Sequence, residues 1–581
     1  MRERRILRRI VSPAALENLS TGLHPVLRRV YAARGIEHDH DLDLGLAYLL
    51  PVTTLGGLPA AVELLIACHT RRSRVVVVGD FDADGATSTA LVVRQLRRLG
   101  FEDPGYVVPD RFRYGYGLTP QIVREAAKLR PDLLITVDNG ISSLEGVREA
   151  ARLGIDVLVT DHHLPGAALP EATAIVNPNL HEETFASKAL AGVGVAFYVM
   201  AALTRSMIER GLVPDRAAVN AADLLDLVAL GTVADVVSLD RNNRILVSQG
   251  IRRIRAGRCV PGLRALLEVA GRSVEAVTEQ DLAFQAGPRL NAAGRLEDMR
   301  LGIECLLTGD ETEARRHAGE LSRLNTERRE LEAQMQREAL GQVDRLLELL
   351  AGELPAGLAI YDAAWHQGVV GLVASKVRER VHRPVIAFAP GEPGWIKGSA
   401  RSVPGVHVRD VLDAVATTYP DLLERFGGHA MAAGMTLRAD RFDDFRHAFA
   451  AEVERRIDPD ELRGELHTDG PLAAGEFSLA MGRALREGGP WGAGFPEPVF
   501  DGSFGVLESR IVADRHLKLR LRAPSGETVN AIAFRYVDDE ASLPRVQTNV
   551  DLVYRVALDD YGGAQHLQLV SEWLVPATER T

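Results

Sequence analysis

The sequence predicts an α/β protein that ends in a small β-barrel. Three patterns indicate this architecture. Strands and helices alternate from about residue 60 to residue 165, the alternation resumes after Pro355, and short strands of alternating polarity follow residue 500. The length of 581 residues exceeds what one hydrophobic core usually supports. We therefore expect roughly three or four domains.

The first α/β region predicts a parallel sheet within residues 1–305. Arg74 to Val78 is a β-branched run, and Leu133 to Val137 and Val157 to Thr160 are further short apolar runs. Thr87 to Leu99 has helical periodicity. In an open parallel sheet, ligands bind beyond the carboxyl ends of the strands. The residues that follow these runs are therefore the first candidates for a functional site.

A long connecting helix is predicted over residues 306–352. This stretch is highly charged, lacks proline, and carries Leu321, Leu324, Leu331 and Met335 at helical spacings. Such a helix packs against a domain or spaces two of them, and its residues do not look catalytic.

A second, smaller α/β domain is expected over residues 353–458. It has a strand at Leu358 to Tyr361, a helix start near Gly368 and Gly371, and a strand at Val385 to Ala389.

The C-terminal region, residues 459–581, predicts a β-barrel. His516 to Arg522 alternates leucine with basic residues, and Leu552, Tyr554, Val556 and Leu558 stand at alternate positions further on. Short alternating strands are typical of a small barrel, and the first of these strands would have a basic outer face.

Overall composition narrows the functional classes. Apolar residues make up 46% of the chain and charged residues 25%, which is ordinary for a folded soluble protein. The formal net charge of −11 argues against a protein that coats nucleic acid through overall positive charge, although a local basic channel is compatible with it. No signal peptide or membrane-spanning run is recognisable, so we expect a cytoplasmic protein without a membrane partner.

The strongest chemical signal is the segment Gly79 to Gly85, which places Asp80, Asp82 and Asp84 between a strand and a helix. Alternate residues of an extended segment point the same way. Three like charges on one side repel one another unless cations neutralise them. The alternative is a solvated acidic turn in which an aspartate caps the next helix.

Two further groups follow predicted strands. Asp138 lies in the sequence Thr136 to Gly140, and Asp161 is followed by His162 and His163. Each group alone is typical of an ordinary turn or a surface pair. Parallel topology brings all three strand ends to one edge of the sheet, which favours a shared site.

A fourth candidate, Asp235, ends another apolar segment, and a helix or turn cap is the alternative there. Many carboxylates with one or two imidazoles and no thiolate suit Mn²⁺ or Mg²⁺. Two such ions, about 4 Å apart, can activate a water and stabilise the leaving oxygen of a phosphate ester. The residues themselves therefore predict a metal-dependent phosphate-ester hydrolase.

Taken together, these motifs resemble the DHH phosphoesterase family, whose signature matches Asp161, His162 and His163. Within the family, the resemblance is closest to its single-stranded-DNA-specific exonucleases. Further matching segments extend along almost the whole chain: His24 to Gly35, Pro109 to Leu118, Gly287 to Arg295, Leu324 to Arg329, Trp365 to Gly371, Gly398 to Ser402, Gly427 to Gly434, and Gly494 to Pro498.

The resemblance implies both a fold and an activity. The fold is a DHH phosphoesterase parallel-sheet domain, the long connecting helix, a smaller DHH-associated α/β domain and a C-terminal OB-fold barrel. The activity is degradation of single-stranded DNA from 5′ to 3′ into 5′-mononucleotides by two Mn²⁺ or Mg²⁺ ions, in DNA recombination and repair. The implied partners are single-stranded DNA, a single-strand-binding protein and a helicase, and the expected state is a monomer.

The resemblance also implies roles for the site residues. One metal would be held by Asp84, Asp138, His162 and Asp235, and the second by Asp80, Asp82 and Asp138. Asp161 would orient the histidines, and His163 would donate to the scissile phosphate. The expected catalytic set is Asp82, Asp84, Asp138, His162 and His163.

Substrate contacts are implied for residues on both α/β domains. Arg111, Ser399 and Arg401 are expected to bind a 5′-phosphate, because a terminal phosphate suits forked arginine donors. The complete set is Arg111, Arg289, Asn291, His366, Ser399, Arg401 and His429.

Two other functions remain open. One is a DHH hydrolase of short oligonucleotides or cyclic dinucleotides, which the extra barrel and long helix argue against. The other is a non-catalytic replication scaffold of the same fold, which the intact aspartates and histidines argue against.

Overall fold

The structure is a computed structural model that describes residues 4–109, 117–213, 218–349, 354–457, 464–513, 515–534, 536, 544, 546–559 and 565–576. Up to the long helix, the strands and helices are β1 (Arg5–Arg8), α1 (Pro13–Asn18), α2 (Pro25–Ala32), α3 (Leu58–Arg71), β2 (Val75–Val78), α4 (Ala83–Arg98), β3 (Gly105–Val107), α5 (Pro120–Ala127), β4 (Leu133–Val137), α6 (Leu144–Arg152), β5 (Asp156–Thr160), β6 (Ala174–Val176), α7 (Gly192–Glu209), α8 (Leu225–Ala234), α9 (Arg241–Arg255), α10 (Pro261–Val269), α11 (Glu279–Asp281), α12 (Gly287–Leu296), α13 (Arg300–Leu307) and α14 (Glu311–Leu349).

The remaining elements form the second sheet and the barrel. They are β7 (Leu358–Tyr361), α15 (Val370–Val381), β8 (Val385–Pro390), β9 (Trp395–Arg401), α16 (Val408–Thr418), β10 (Arg425–Gly428), β11 (Ala432–Arg438), α17 (Phe442–Glu454), β12 (Glu465–Thr468), α18 (Leu479–Glu487), β13 (Phe500–Val512), β14 (His516–Arg522), β15 (Thr528–Ala533), β16 (Asn549–Asp559) and β17 (His566–Pro576).

The chain divides into two compact units. The larger unit is built from the described parts of Leu7–Gly294, Asp298–Ser322 and His467–Thr581, and the smaller from those of Met1–Ile6, Arg295–Glu297 and Arg323–Leu466. The barrel therefore shares a unit with the parallel sheet, although the sequence suggests a separate domain.

Contacts distant in sequence join the barrel region to the N-terminal helices. The hydroxyl of Tyr31 donates to the carbonyl of Gly488 at 2.9 Å, and its ring stacks on Trp491. The guanidinium of Arg34 forms two bonds to the carboxylate of Asp469, at 2.8 and 3.0 Å. Because a bidentate pair is strongly directional, it fixes the two segments to each other.

The larger unit contains the predicted parallel sheet, with strand order β3-β2-β4-β5-β6. Strands β2 and β4 are buried along their whole length, as expected for central strands that read as continuous apolar runs. Helix α4 follows β2 directly, and β4 and β5 end next to each other on the same side. The carboxyl edge of the sheet therefore gathers the residues after β2, β4 and β5.

The long helix α14 has 39 residues. In the smaller unit its residues Met335, Ala339 and Val343 join a core with strands β7 and β8. That unit's sheet has the order β10-β11-β9-β8-β7, in which β7 and β8 are parallel and the other neighbours are antiparallel.

Strands β13 to β17 form a closed barrel, in the order β13-β14-β15-β17-β16. Leu517, Leu519 and Leu521 are buried in it, whereas Arg520 and Arg522 are exposed, which confirms the alternation predicted for this strand.

In the described part of the chain, no single helix is long and apolar enough to cross a membrane. By length and composition alone, the bent pair Leu46–Thr54 and Leu58–Arg71 meets that requirement together.

Candidate active site

The aspartate segment forms the turn between β2 and α4. Asp82 is the N-cap of α4, and its carboxylate accepts a hydrogen bond from the amide of Gly85 at 3.0 Å. The carboxamide oxygen of Asn291 accepts from the amide of Ala83 at 2.8 Å. Asn291, expected to bind substrate, thus supports the aspartate turn.

Asp84 is buried and is held by the start of helix α7. Its two carboxylate oxygens accept hydrogen bonds from the amides of Gly192 and Val193, at 2.6 and 2.9 Å. A helix N-terminus favours negative charge, because its first amides have no partner inside the helix. This support was not predicted, although the glycine-rich start of α7 is a sequence signal for it.

Two glycines let backbone approach the carboxylates closely. A Cβ on Gly192 would lie 2.6 Å from the Cβ of Asp138, and one on Gly231 would lie 2.9 Å from an oxygen of Asp84. Alanine at either glycine would force the backbone or the neighbouring aspartate to move. The carboxylates are therefore closely packed and have little room to move apart.

Asp138 follows β4 and adopts a left-handed backbone conformation, with φ of +61°. Such a conformation costs a non-glycine residue about 1–3 kcal/mol and is often found at functional sites. The residue is buried, and its amide donates to the carbonyl of Thr160 at 3.1 Å. The surrounding sheet therefore imposes this conformation and places the carboxylate at the sheet edge.

Asp161 organises the two histidines that follow it. One carboxylate oxygen accepts from the amides of His162 and His163 and lies 2.7 Å from Nδ1 of His163. The other accepts from the amide of Ile141 at 2.9 Å. These contacts have the geometry expected of a carboxylate that orients the two histidines.

His162 points at the carboxylates. Its Nε2 lies 3.1 Å from an oxygen of Asp138 and 3.6 Å from one of Asp235, the residue that follows helix α8. This buried nitrogen has no hydrogen-bond partner among the described residues. Because an unpartnered buried nitrogen is costly, the arrangement suits coordination of a cation.

The carboxylates strongly perturb one another. Burial raises the pKa of Asp84 and Asp138 well above the ordinary aspartate value, and the neighbouring carboxylates raise it further. Burial and the charge of Asp82 raise the pKa of Asp235 to about 7. Without a cation, the cluster therefore resists full ionisation.

The two histidines shift in opposite directions. Burial and the neighbouring charge of His163 lower the pKa of His162 to about 4. Burial would also lower the pKa of His163, but its hydrogen bond with Asp161 and the charge of that carboxylate raise it to about 9. At neutral pH, the ring of His162 is therefore neutral, whereas the ring of His163 is charged.

The donor set fits divalent cations. Three groups have ligand atoms within 4.8 Å of one another: Asp84, His162 and Asp235; Asp80, Asp82 and Asp138; and Asp138, His162 and His163. Carboxylate oxygens with one imidazole and no thiolate suit Mn²⁺ or Mg²⁺. Asp138 and His162 each belong to two of these groups.

The structure places the remaining predicted substrate residues on other segments of the chain. Arg289 is on α12 of the larger unit and donates to the carbonyl of Gln285 at 2.7 Å. His366 and His429 belong to the smaller unit, and Nδ1 of His366 accepts from the amide of Gly368 at 3.1 Å. Arg111 lies outside the described residues.

Ser399 and Arg401 form a polar cluster in the smaller unit. They share a face of β9, and Nη1 of Arg401 donates to the Ser399 hydroxyl at 3.0 Å. A Cβ on Gly371 would lie 2.8 Å from Nη2 of Arg401, so this cluster abuts the first turn of α15. A helix start with an arginine and a hydroxyl beside it is suited to an anion.

Comparison with known proteins first defines the class. Family models match in three places: the N-terminal domain of the DHH family at residues 74–232, the DHHA1 domain at 354–455 and the RecJ OB domain at 468–572. The larger unit's sheet and carboxylate cluster fall mainly within the first of these matches, which makes the chain a DHH-domain protein.

Relatives then identify the family. The chain is 51% identical to the single-stranded-DNA-specific exonuclease RecJ of Dickeya dadantii, over 97% of this chain and 98% of the relative. It is 49% identical to that of Escherichia coli, over 96% and 97%. The chain belongs to the RecJ family of single-stranded-DNA-specific exonucleases.

Solved structures agree. RecJ from Thermus thermophilus in complex with Mn²⁺ matches with a TM-score of 0.82 and 32% identity, over 100% of this chain and 80% of that one. The same protein in complex with Mg²⁺ matches with a TM-score of 0.74 and 31% identity, over 99% and 78%.

Proposed function

We propose that this chain degrades single-stranded DNA from its 5′ end, releasing 5′-mononucleotides by hydrolysis that depends on two Mn²⁺ or Mg²⁺ ions. The observation that carries the proposal is the carboxylate–histidine cluster at the sheet edge, in a chain that is half identical to single-stranded-DNA exonucleases along its length.

The ligands divide into two sets. One ion would be held by Asp84, Asp138, His162 and Asp235, and the other by Asp80, Asp82 and Asp138. When bound, the two ions would supply an activated water and neutralise charge on the leaving oxygen. The amides of Gly192 and Val193 restrain Asp84, and the backbone of the sheet restrains Asp138.

His163 is the proposed donor to the scissile phosphate. Its raised pKa, caused against burial by the hydrogen bond with Asp161, keeps the ring charged at neutral pH. A charged imidazole that donates to a phosphate oxygen stabilises negative charge as it develops. Asp161 holds the ring in position, so losing that carboxylate should lower both the charge and the alignment of the donor.

Polarity requires a group that reads the end of the strand. Ser399 and Arg401, beside the start of α15, supply a hydroxyl, a guanidinium and helix amides. We propose that they bind the terminal 5′-phosphate, and that His366 and His429 contact the strand backbone. Arg111, the third residue expected to bind this phosphate, lies outside the described residues. Forked arginine bonds to a phosphate dianion have no equivalent at a 5′-hydroxyl.

The barrel would supply affinity for the strand. Lys518, Arg520 and Arg522 lie on the face of β14 that points away from its buried leucines, and such a face attracts phosphates. Because the barrel is part of the larger unit, the chain suits a long strand better than a cyclic dinucleotide or a short oligonucleotide. The complete ligand set argues against a non-catalytic scaffold.

The biological setting follows from the substrate. An exonuclease for single strands acts in DNA recombination and repair, where a helicase and a single-strand-binding protein are natural partners. We propose that the chain acts there as a cytoplasmic monomer.

The deciding experiment measures product release from matched substrates. With Mn²⁺ or Mg²⁺, we expect mononucleotides from 5′-phosphorylated single-stranded DNA, little release from blunt duplex, and no activity in excess chelator. Product release from RNA of the same sequence tests whether the enzyme discriminates between deoxyribose and ribose. Preferential hydrolysis of cyclic dinucleotides or dimers over long strands would refute the proposal, as would release that begins at the 3′ end.

A further inference from the structure

A pocket of about 240 Å³ lies in the larger unit, and none of its lining residues belongs to the carboxylate cluster. Helix α9 forms one wall, and the segment Arg486–Pro490, which includes the last two residues of α18, forms another. Liquid water occupies about 30 Å³ per molecule, so the pocket has room for a small ligand.

The lining of this pocket is mostly positive. Four arginines line it, and two glutamates accompany them: Arg244, Arg252, Arg255, Arg486, Glu279 and Glu487. Glu279 is buried and accepts a hydrogen bond from the amide of Trp491 at 3.1 Å. Burial raises its pKa to about 7, so it offsets only part of the positive charge at neutral pH.

Arg244 is the most informative residue in the pocket. Only 5% of it is exposed, and within the described residues it has no hydrogen bond or ion pair. The Cζ of its guanidinium lies 4.3 Å from the ring centroid of Phe495, a contact that satisfies no N–H donor, and its Nε has no hydrogen-bond partner among the described residues. Burial lowers the pKa of Arg244, and the charges of Asp41 and Asp240 offset only part of that effect. A buried charge to which no carboxylate is bonded is expensive, so this guanidinium suits an anion.

Two of the other arginines are held in place. Nε of Arg255 donates to the carbonyl of Val277 at 2.8 Å, and Nη2 of Arg486 donates to that of Ala276 at 2.9 Å. Each guanidinium has five N–H donors, so these anchors leave most of them for a ligand. Burial and the charge of Arg486 lower the pKa of Arg255, as expected of neighbouring cations.

We propose that this pocket binds a phosphate group, outside the site of hydrolysis. Guanidiniums approach it from both α9 and the end of α18, and a phosphate offers oxygens in more directions than a carboxylate does. The phosphate comes either from a free mononucleotide or from the strand. This inference does not depend on the nuclease activity.

The test uses the full chain in excess chelator, so that no metal ion can bind phosphate. Titration calorimetry and thermal melting are run with orthophosphate, a 5′-mononucleotide and a 5′-hydroxyl oligothymidylate, against sodium chloride of equal ionic strength. The variants are Arg244→Met and Arg252→Ala. The control is Arg205→Ala, which removes an exposed arginine paired with Glu209 on α7.

We expect Arg252→Ala to weaken phosphate binding about tenfold, the usual effect of losing a bond between charged groups. Arg244→Met should abolish the shift in Tm caused by phosphate, without lowering the Tm of the ligand-free protein, because it removes a buried charge whose desolvation Asp41 and Asp240 only partly offset. Arg205→Ala should behave like the wild type. If Arg244→Met does not fold, Arg252→Ala decides the question.

The same measurements identify the source of the phosphate, because the two variants should weaken the binding of one probe more than that of the other. Stronger loss for the mononucleotide identifies a free nucleotide, and stronger loss for the oligothymidylate identifies the strand. The inference is overturned if the wild type binds no probe more tightly than chloride, or if both variants bind every probe as the wild type does.

Discussion

The carboxylate cluster and the arginine pocket both concentrate like charges in one folded unit, but the protein restrains them differently. In the cluster, glycine contacts and the left-handed backbone of Asp138 fix short side chains at close range. In the pocket, Arg255 and Arg486 are long side chains, each anchored by one bond to a carbonyl. The first arrangement suits small cations with fixed coordination distances, and the second suits a larger anion.

The largest expected effect is the loss of hydrolysis in Asp138→Ala. A ligand shared by both ions organises the whole centre, so its removal should cost several kcal/mol of transition-state stabilisation, or about a thousandfold in rate. Strand binding should persist, because the barrel is unchanged. Asp421→Ala, which removes an exposed aspartate, should keep full activity. Retention of more than about a tenth of the wild-type rate would contradict the bridging role.

The comparison also predicts how pH affects the metal-free protein. Asp235 has a folded pKa raised to about 7, and the pKa values of Asp84 and Asp138 are raised as well, so these groups bind more protons when folded. Their contribution to stability is complete below the ordinary aspartate pKa of about 3.9 and is lost as pH rises through about 7.

Thermal melting in chelator from pH 5 to 8 should therefore show a falling contribution that Mn²⁺ restores. Asp235→Asn should flatten the profile. If Tm changes with pH equally in chelator and in Mn²⁺, the carboxylates do not raise one another's pKa as described.

A smaller effect is expected from Arg401→Ala. Loss of a hydrogen bond to a charged group should reduce kcat/KM for 5′-phosphorylated strands by about 1.5–3 kcal/mol, with much less effect on 5′-hydroxyl strands. Arg438→Ala, which removes an exposed arginine paired with Asp440 in the same unit, is the control. If the ratio of the two substrates is unchanged, Arg401 does not read the end.

The smallest effect concerns the barrel face. Deleting the barrel would break contacts such as Arg8 to Asp501, so surface substitutions give a cleaner test. Lys518→Ala with Arg522→Ala should weaken binding to long strands severalfold, and each lost phosphate contact should reduce the slope against log salt by about 0.7. Cleavage of very short oligonucleotides should be unaffected. Equal losses on short and long substrates would argue against this role.

Much of the fold could be predicted because its signals are local. Buried parallel strands appear as apolar runs, and the rule of strand ends places Asp80, Asp138 and Asp161 at one edge before any coordinates are known. Predicted strand bounds differ from the observed ones by only a residue at Arg74, Asp156 and Pro390.

The supporting contacts could not be predicted, because they join residues far apart in sequence. Neither the amides of Gly192 and Val193 on Asp84 nor the carboxamide of Asn291 on Ala83 leaves a periodic pattern. The packing of the C-terminal region against the N-terminal helices depends in the same way on pairs such as Tyr31 with Gly488. Tertiary contacts of this kind need the folded chain.

The left-handed backbone conformation of Asp138 makes the stability of the fold and the rate of hydrolysis compete at one residue. Glycine adopts this conformation without strain and would also remove a crowded carboxylate. A laboratory selection for thermal stability alone should therefore enrich Asp138→Gly, and the selected variants should have a higher Tm but no activity. Natural chains can keep the aspartate only while selection rewards catalysis, as is common for strained active sites.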